Sequence, residues 1–496
     1  MKKTVAFVMM CLVFGAFFMT SCRKSATNDS LSSIPENASM LMAINPMSLL
    51  KKADFETIKN KPEYQKMIAE RAKNNPSLAA IMQDPAKSGI DLTKNIYFTT
   101  VIDPKTGESF TGAVFSIADA AKFATMAKGS VKDVEVSSKS GFSVLRGAGM
   151  FTAWNSSVAY AGNVTDSSMG EVLLAGGGKT MADNAQVQKL LTAAHDIHIW
   201  TSADALADQD DVKMGATTLG IDAKALKGNS VHSYLDFENG EVRGHADFVI
   251  QQLLRDELGI MLKDGVKTDF SRFVSDEPGI TFTTALDFDG VAQFMKERGP
   301  ISSLADMQAE SSGFPVRFAN ITETLDGDIL VHYVPSATNN ERFLLAAKVR
   351  NMPSLNTLIA KGLKAGMLKK EAGNMYAIGG QNDVSGMYMT VVDEILVISS
   401  EKGWLTSAAA KIPLGKQPNK ALTTAKTNFL SLFVSPNVKL PYNMPLQAQS
   451  LPTSEGLEAM INGKSADFRV PMTDKSKNAL KAMLEAANTT TTSGGN

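Results

Sequence analysis

Apolar and polar positions recur in the same order in the two halves of the chain, which indicates an internal repeat. In each half an apolar strand runs into a helix, with Asn45 or Asp289 as the predicted helix cap. Two β-rich runs around a polar turn follow, and then a helix ending in Lys-Gly. A hairpin, a strand that enters a turn and an Asn-Gly hairpin complete the series. The five matched pairs are 39–52 with 283–297, 95–129 with 329–362, 150–163 with 387–400, 197–206 with 430–439, and 238–250 with 461–470.

This repetition predicts an α+β fold of two tandem related units, residues 34–272 and 275–487. Alternation along the hairpin arms favours antiparallel sheets with one buried face, so we expect the helices to pack mainly on one face of each sheet. Residues 250–270 predict a helix that connects the units. The pattern leaves open whether the two units form a cleft or a longer platform. Residues 488–496 are small and polar, which predicts a disordered tail.

The N-terminal residues have the pattern of an export signal. Two lysines precede the apolar run 5–19, which is too short for a stable membrane-spanning helix. The small residues Thr20 and Ser21 come next, and Cys22 follows them. The sequence therefore predicts a signal peptide over 1–21 and lipidation of Cys22, with palmitate as an expected fatty acid. An ordinary cleaved signal with a cysteine nearby by chance is the alternative.

Composition changes this interpretation little. The chain has 496 residues, of which 44% are apolar and 20% are charged, as in globular proteins. Its net charge is −1 without long charge blocks, so no nucleic-acid partner is expected. Cys11 lies in the predicted signal peptide, which is removed, and Cys22 is predicted to be lipidated. The mature chain would therefore have no thiol for a disulfide or a metal. Residues 22–33 predict a flexible spacer between the membrane and the folded body.

Two short motifs match known functional motifs only in part. Gly176 to Thr180 reads Gly-Gly-Gly-Lys-Thr, but a phosphate-binding loop needs a glycine at the position of Leu173, so we predict a plain loop before a helix. Ser48 and Lys51 have the Ser-x-x-Lys spacing of penicillin-recognising enzymes, and a Lys-Thr-Gly follows at 105–107. No Ser-x-Asn lies between them, and residues 105–107 follow Asp-Pro in a predicted hairpin turn.

Histidine and acidic clusters were the other candidates for a site. His195, Asp196 and His198 lie close in sequence, but His198 and Trp200 alternate along a predicted strand, so the two imidazoles need not converge. Asp208, Asp210 and Asp211 lack the glycine and distal glutamate of a calcium loop. We therefore predict no catalytic, cofactor-binding or metal-binding residue, and no cofactor.

The mature sequence resembles a family of uncharacterised Bacteroidetes lipoproteins of this length. The resemblance rests on the lipobox, on Ile-Pro-Glu-Asn-Ala at 34–38, and on the segment 181–200. It implies an envelope location and supplies no catalytic residues. In that phylum acidic residues after the lipidated cysteine mark surface export, whereas Arg23-Lys24-Ser25 stands here, which favours the periplasmic face of the outer membrane. Asp29-Ser30-Leu31 resembles the O-glycan acceptor of that phylum, with Ser30 as the attachment site.

Together these features predict a lipid-anchored envelope protein that binds an envelope protein, a glycan or another extracytoplasmic ligand. The alternatives are a hydrolase or other enzyme whose site is assembled only in the fold, and a purely structural spacer.

Overall fold

The computed structural model describes residues 30–492 with several gaps. The gaps are residues 75, 104–105, 131–135, 148–149, 165–166, 208, 219–221, 298–316, 337–340, 380–385, 417–418, 437 and 439–453. The predicted signal peptide, Cys22 and most of the predicted spacer lie outside the described residues.

Two units divide the described chain. The first unit holds residues 30–213, Leu226–Val249 and the residues from Asp474 onward, and the second holds Met214–Ala225 and Ile250–Thr473. The chain therefore passes into the second unit at 250, earlier than the predicted boundary at 272–275. Residues 474–487, which were predicted to belong to the second unit, belong to the first.

The sheet of the first unit is antiparallel throughout and follows the spatial order β4-β5-β6-β7-β3-β2-β1-β8-β9-β10. Its strands are β1 (Ala38–Ile44), β2 (Ile96–Ile102), β3 (Ser109–Ser116), β4 (Val136–Lys139), β5 (Phe142–Gly147), β6 (Met150–Trp154), β7 (Val158–Val164), β8 (Ile197–Ser202), β9 (Ser230–Glu238) and β10 (Glu241–Val249).

The sheet of the second unit is also antiparallel, in the order β14-β15-β16-β17-β13-β12-β11-β18-β19-β20. Strand for strand, this is the order of the first unit. Its strands are β11 (Ile280–Ala285), β12 (Leu325–Val334), β13 (Arg342–Val349), β14 (Leu368–Lys370), β15 (Tyr376–Ile378), β16 (Met387–Val392), β17 (Ile395–Ser399), β18 (Leu430–Val434), β19 (Leu457–Ile461) and β20 (Ser465–Pro471).

The helices connect and cover these strands, so the fold is mixed α and β, built on antiparallel sheet. They are α1 (Pro46–Ala53), α2 (Phe55–Ile58), α3 (Pro62–Asn74), α4 (Pro76–Gln83), α5 (Ala120–Ser130), α6 (Ser167–Ala175), α7 (Ala185–Leu191), α8 (Asp204–Ala207), α9 (Asp210–Thr218), α10 (Gln252–Gly259), α11 (Phe288–Glu297), α12 (Phe318–Thr324), α13 (Met352–Lys364), α14 (Lys402–Ala409), α15 (Lys420–Ala425) and α16 (Ala479–Thr492). Within the described ranges, no helix combines the length and the apolar character needed to cross a membrane.

Helices pack on both faces of the first sheet, so the expectation of one covered face is wrong. Phe110 of β3 packs with Leu173 of α6 and with neighbours on one face, while Phe115 of the same strand packs with Phe123 of α5 on the other. The cause is the continuous apolar stretch 112–115 of β3, which leaves no polar position for a solvent-facing side.

The second sheet is covered in the same way. Leu344 of β13 packs with Trp404 of α14 and Ala425 of α15. Val349, at the end of the same strand, packs with Ile359 of α13 in a separate core cluster. Each unit thus has a helix–sheet–helix cross-section.

Local turn chemistry matches the structure closely. The Asn-Gly turns at 239–240 and 462–463 join β9 to β10 and β19 to β20, as predicted. Asn45 caps α1, since its Oδ1 accepts the Ser48 amide at 3.0 Å. The cap of α11 is Asp287, which accepts the Gly290 amide at 3.1 Å, so the prediction of Asp289 is two residues late.

Three predicted segments differ from the structure at their ends. The predicted helix 250–270 is shorter, because α10 ends at Gly259, a residue with low helix propensity. Residues 30–33 of the predicted spacer are packed, since Leu31 is buried in the first core. The predicted disordered tail is helical as far as Thr492.

Candidate functional site

A groove of about 1510 Å³ opens in the first unit, and all of its lining residues belong to that unit. Its lining includes residues 32–33 and 35–38, residues 102–103 and 106–107 near the ends of β2 and β3, residues 172–174 of α6 and 176–180 after it, Asn184 and Gln186 at the start of α7, and the adjoining ends of β8 and β9. The groove is concave and is lined in part by polar groups, which makes it the candidate binding site.

One wall of the groove is held by pairing between two loops. The Glu36 amide donates to the Lys179 carbonyl at 3.0 Å, and the Met181 amide donates to the Ile34 carbonyl at 2.8 Å. Ile34 and Met181 are fully buried beneath this pairing. The Gly-Gly-Gly-Lys-Thr loop follows helix α6 and not a strand, so it lacks the setting of a phosphate-binding loop.

A hydrogen-bonded network fixes a side-chain amide in the groove. The indole Nε1 of Trp200 donates to Gln186 Oε1 at 3.4 Å, and the Ser230 hydroxyl donates to the same oxygen at 3.2 Å. His232 Nε2 lies 2.9 Å from Ser230 Oγ, and burial lowers the pKa of His232. The network is therefore uncharged at neutral pH.

Other polar groups of the groove are also held in one orientation. Asn184 Oδ1 accepts the amides of Gln186 and Val187 at 3.0 and 3.2 Å, while Asn37 Nδ2 donates to the Ile102 carbonyl at 3.1 Å. The Tyr160 hydroxyl donates to the Ser33 carbonyl at 2.8 Å. Burial raises the pKa of Tyr160 to about 12, so its phenol stays neutral.

In the structure, Ser48 of the Ser-x-x-Lys motif makes a structural contact with Asp196. Ser48 Oγ donates to Asp196 Oδ1 at 2.5 Å, and the lysine that joins it is Lys52, whose Nζ lies 2.7 Å from Asp196 Oδ2. The Phe237 amide also donates to Asp196 Oδ2, at 2.8 Å. Asp196 is 1% exposed, and with three donors on its oxygens it ties α1 to the β8 and β9 strands. Residues 104–105 lie outside the described residues, so the Lys-Thr-Gly candidate is only partly described.

The rings of His195 and His198 lie side by side, although the strand alternation did not require it. Their ring centroids are 5.3 Å apart, because His195 precedes β8 and does not follow the alternation of the strand. His195 Nδ1 lies 2.7 Å from Asp236 Oδ2, and its ring stacks on Tyr234 at 3.6 Å. Burial, and then the nearby His195, lower the pKa of His198 to about 4.

Metal and calcium candidates gain no support from the described part of the chain. It contains no group of three or more His, Cys, Asp or Glu residues that could hold a metal ion. Of the acidic cluster at 208–211, Asp208 lies outside the described residues and Asp210 begins helix α9.

A smaller pocket of about 490 Å³ lies in the second unit and is lined by charged residues. Most of these charges are paired locally: Arg272 with Asp393 at 2.8 Å and Lys263 with Asp326 at 3.0 Å. Asp328 Oδ2 accepts the Lys267 and Thr268 amides, both at 2.8 Å. These pairs stabilise the loop after α10 against β12 and leave little charge for a ligand.

Ser30, the predicted O-glycan site, is fully buried. Its hydroxyl lies 3.1 Å from Ser116 Oγ of β3. The folded chain leaves no room for a glycan at this oxygen, so glycosylation of Ser30, which stays a prediction, requires attachment before this segment folds.

The residues that fix the groove, Asn184, Gln186, Trp200 and Ser230, were not singled out from the sequence. They lie at three elements, α7, β8 and β9, and are spread over residues 184–230, so no short motif contains them. The available signal was weak: a polar helix start before an apolar strand that carries a tryptophan.

The architecture is that of an α/β protein with extended antiparallel sheets and a polar groove in its first unit. A model of the family described as "Domain of unknown function (DUF4836)" matches residues 32–413. The chain therefore belongs to that family. The predicted ties to lipoproteins and to the Bacteroidetes stay predictions.

Solved structures of TP0453 are similar to parts of this chain. "Structure of crystal form I of TP0453" is 9% identical, with 45% of this chain and 79% of that chain covered and a TM-score of 0.26. Crystal form IV is 12% identical, with 47% and 84% covered and the same TM-score. Scores this low support no inference about fold or function. No curated protein matches the chain at a significant level.

Proposed function

We propose that the protein is a lipid-anchored binding protein of the cell envelope whose ligand site is the groove of the first unit. The observation that carries this proposal is the groove itself, which is large, concave and lined by polar groups that hydrogen bonds hold in place. Fixed polar groups in a concave site are the usual basis of ligand specificity.

The anchor in this proposal is Cys22, on the periplasmic face of the outer membrane. Its support is the order of charge, apolar run, small residues and cysteine at the N-terminus. We expect Cys22→Ala to abolish fatty-acid labelling and to release the protein from membranes, whereas Ser25→Ala should change neither. Labelling that persists in Cys22→Ala would contradict the anchor. Protease treatment of intact cells then distinguishes the periplasmic face from the cell surface.

We also propose that the two units are related by internal duplication. The five sequence matches are supported by the shared strand order and by the covering of each sheet by equivalent helices, α5 with α13, α6 with α14, and α7 with α15. The groove is larger than the pocket described in the second unit, so we place the binding role in the first.

Site-specific photo-crosslinking in live cells tests the binding role. A photoreactive residue replaces Val172, which lines the groove and is 46% exposed, and in a matched control it replaces Met67, which is 37% exposed on α3 of the same unit. We expect a captured molecule at 172 that is absent at 67. Identical capture patterns at both positions would refute the groove as a binding site. Chemical conversion of the captured molecule by the purified protein would place the protein in the enzyme class instead.

A further inference from the structure

We infer that the ligand of this groove is an uncharged oligosaccharide. The inference rests on the proposed function, and it names the chemical class of the ligand that the groove binds. Three features of the groove lead to it: the fixed orientation of its amides, its near-neutral lining, and the burial of its large aromatic rings.

The orientation of Gln186 follows from the chemistry of its neighbour. An indole N–H can only donate, so the side-chain atom that faces Trp200 must be the carbonyl oxygen of Gln186. Ser230 donates to the same oxygen. The Nε2 group therefore points away from both, and within the described part of the chain it has no hydrogen-bond partner. Gln186 thus offers two N–H donors in a fixed direction.

Two further amides are fixed by the same kind of argument. Asn184 caps α7 through its oxygen, so its Nδ2 group is left to donate. Asn37 donates through Nδ2 to the Ile102 carbonyl, so its oxygen is left to accept. The groove therefore offers donors and acceptors that carry no charge. Sugar hydroxyls donate and accept at once and match such a mixed set.

The charges of the lining argue against an ionic ligand. The charged lining residues are Glu36, Asp103, Asp204, Lys179 and Lys213. Three acids and two bases give no concentrated field of either sign, whereas phosphate and carboxylate ligands are usually bound by arginine clusters or bidentate cations.

The aromatic residues argue against a peptide ligand. Peptides and proteins gain most of their affinity from side-chain anchors in apolar or aromatic pockets. Here the rings of Trp200 and Tyr160 are 4% and 3% exposed, so they support the groove from below and form no such pocket. The apolar surface that remains, at Phe142 and Val172, suits the C–H face of a sugar ring.

Binding measurements on the purified full-length mature protein in detergent test the inference. The probes are short neutral oligosaccharides of glucose, mannose, galactose, xylose and N-acetylglucosamine, with sulfated and uronic-acid oligosaccharides and a random peptide pool for comparison. Gln186→Glu replaces the two donors by an acceptor and keeps an oxygen toward Trp200 and Ser230. Gln188→Glu makes the same change at an exposed position of α7 outside the groove.

We expect a neutral oligosaccharide to bind, Gln186→Glu to weaken binding about tenfold or more, and Gln188→Glu to leave it unchanged. Binding confined to charged oligosaccharides or peptides, or no binding by the neutral set, would overturn the inference. A peptide or charged glycan captured at position 172 would overturn it and leave the proposed function standing. Equal capture at positions 172 and 67 would refute both the inferred ligand class and the proposed binding function.

Discussion

His332 of β12 has both ring nitrogens in hydrogen bonds within the second unit. Its Nε2 accepts the Ser275 amide at 3.3 Å, which places the single proton of the neutral ring on Nδ1, 3.1 Å from Thr281 Oγ1. A second proton on Nε2 would face the Ser275 N–H donor. Burial lowers the pKa of His332 to about 4. Its partners, Ser275 and Thr281, lie on other segments, so no local sequence pattern indicates this environment.

The low pKa of His332 predicts acid sensitivity. In the unfolded chain the pKa is about 6.5, so the unfolded state binds more protons below that pH, and the stability from the neutral ring is fully present above about pH 6.5 and lost as pH falls toward about 4. We expect the second unit to lose about 2 kcal/mol of unfolding free energy from this group between pH 8 and pH 5, and His332→Gln to remove that loss.

Urea unfolding followed by the fluorescence of Trp404 measures this effect. Trp404 lies 5.7 Å from the His332 ring, and the changes Trp154→Phe and Trp200→Phe remove the other two tryptophans. His198→Gln is the matched control, since that histidine belongs to the first unit. An unchanged pH dependence in His332→Gln would show that another group causes the acid sensitivity.

The contacts of Ser48 and Lys52 with Asp196 show how much of a site can be predicted from the sequence. The Ser-x-x-Lys motif directed attention to Lys51, but Asp196 is reached by Lys52, one helical turn from Ser48. Helical periodicity predicts that residues four apart share a face, so the Ser48 and Lys52 pair was accessible from the sequence. Asp196, their common partner 148 residues from Ser48, was not.

Strand β12 carries a bulge that depends on one glycine. The register of β12 against β13 shifts between Leu325 and Ile329, and Gly327 adopts a φ of 99° with its carbonyl accepting the Leu286 amide at 3.0 Å. A Cβ atom at 327 would collide with the Leu286 carbonyl oxygen. The bulge therefore needs glycine both for its conformation and for the close approach of another backbone.

We expect Gly327→Ala to lower the unfolding free energy of the second unit by about 3 kcal/mol or more, since it adds a backbone clash to the cost of a positive φ. Gly373→Ala is the matched control: its φ is 70°, but the space around it is open, so it should cost about 1 kcal/mol. Urea unfolding of the two variants makes the comparison. Equal losses would mean that the contact at Leu286 adjusts without cost.

Elements defined by local chemistry were predictable from the sequence, and those defined by distant packing were not. Asn-Gly turns specify hairpins through two residues, and those at 239–240 and 462–463 lie as expected. The helix layer on the second face of each sheet was missed because alternation in the hairpins was extended to strands such as β3, whose apolar stretch was the available warning. The groove required Asn37, Gln186 and Ser230 to converge, which no local pattern records.

The chain returns to its first unit after building the second. Helix α16 packs against α1, β9 and β10, with Ala479 and Leu480 buried. Lys481 Nζ lies 2.6 Å from Asp54 Oδ2 across 427 positions of sequence. No local signal in residues 474–492 indicates this docking, and for that reason the prediction placed 474–487 in the second unit and the residues from 488 in a disordered tail.

We expect Leu480→Ala to destabilise the first unit by about 2–4 kcal/mol, because it deletes buried methyl groups. Lys481→Ala removes only a half-exposed ion pair and should cost less than about 1 kcal/mol. Hydrogen exchange makes the measurement: amides of α1 and β9 should lose protection in Leu480→Ala, while those of β12 and β13 serve as the reference. Equal loss in both sets, or loss in neither, would contradict the assignment of α16 to the first unit.

The docking of α16 also sets an order of events during biosynthesis. Residues 474–492 are translated after more than two hundred residues of intervening chain, so the first unit cannot acquire helix α16 until residues 250–473 have been translated. A chain truncated before residue 474, by stalled translation or by proteolysis, would leave exposed the apolar surface that Leu480 covers. We expect such a product to be degraded by quality-control proteases. Completion of the first unit therefore depends on synthesis of the second.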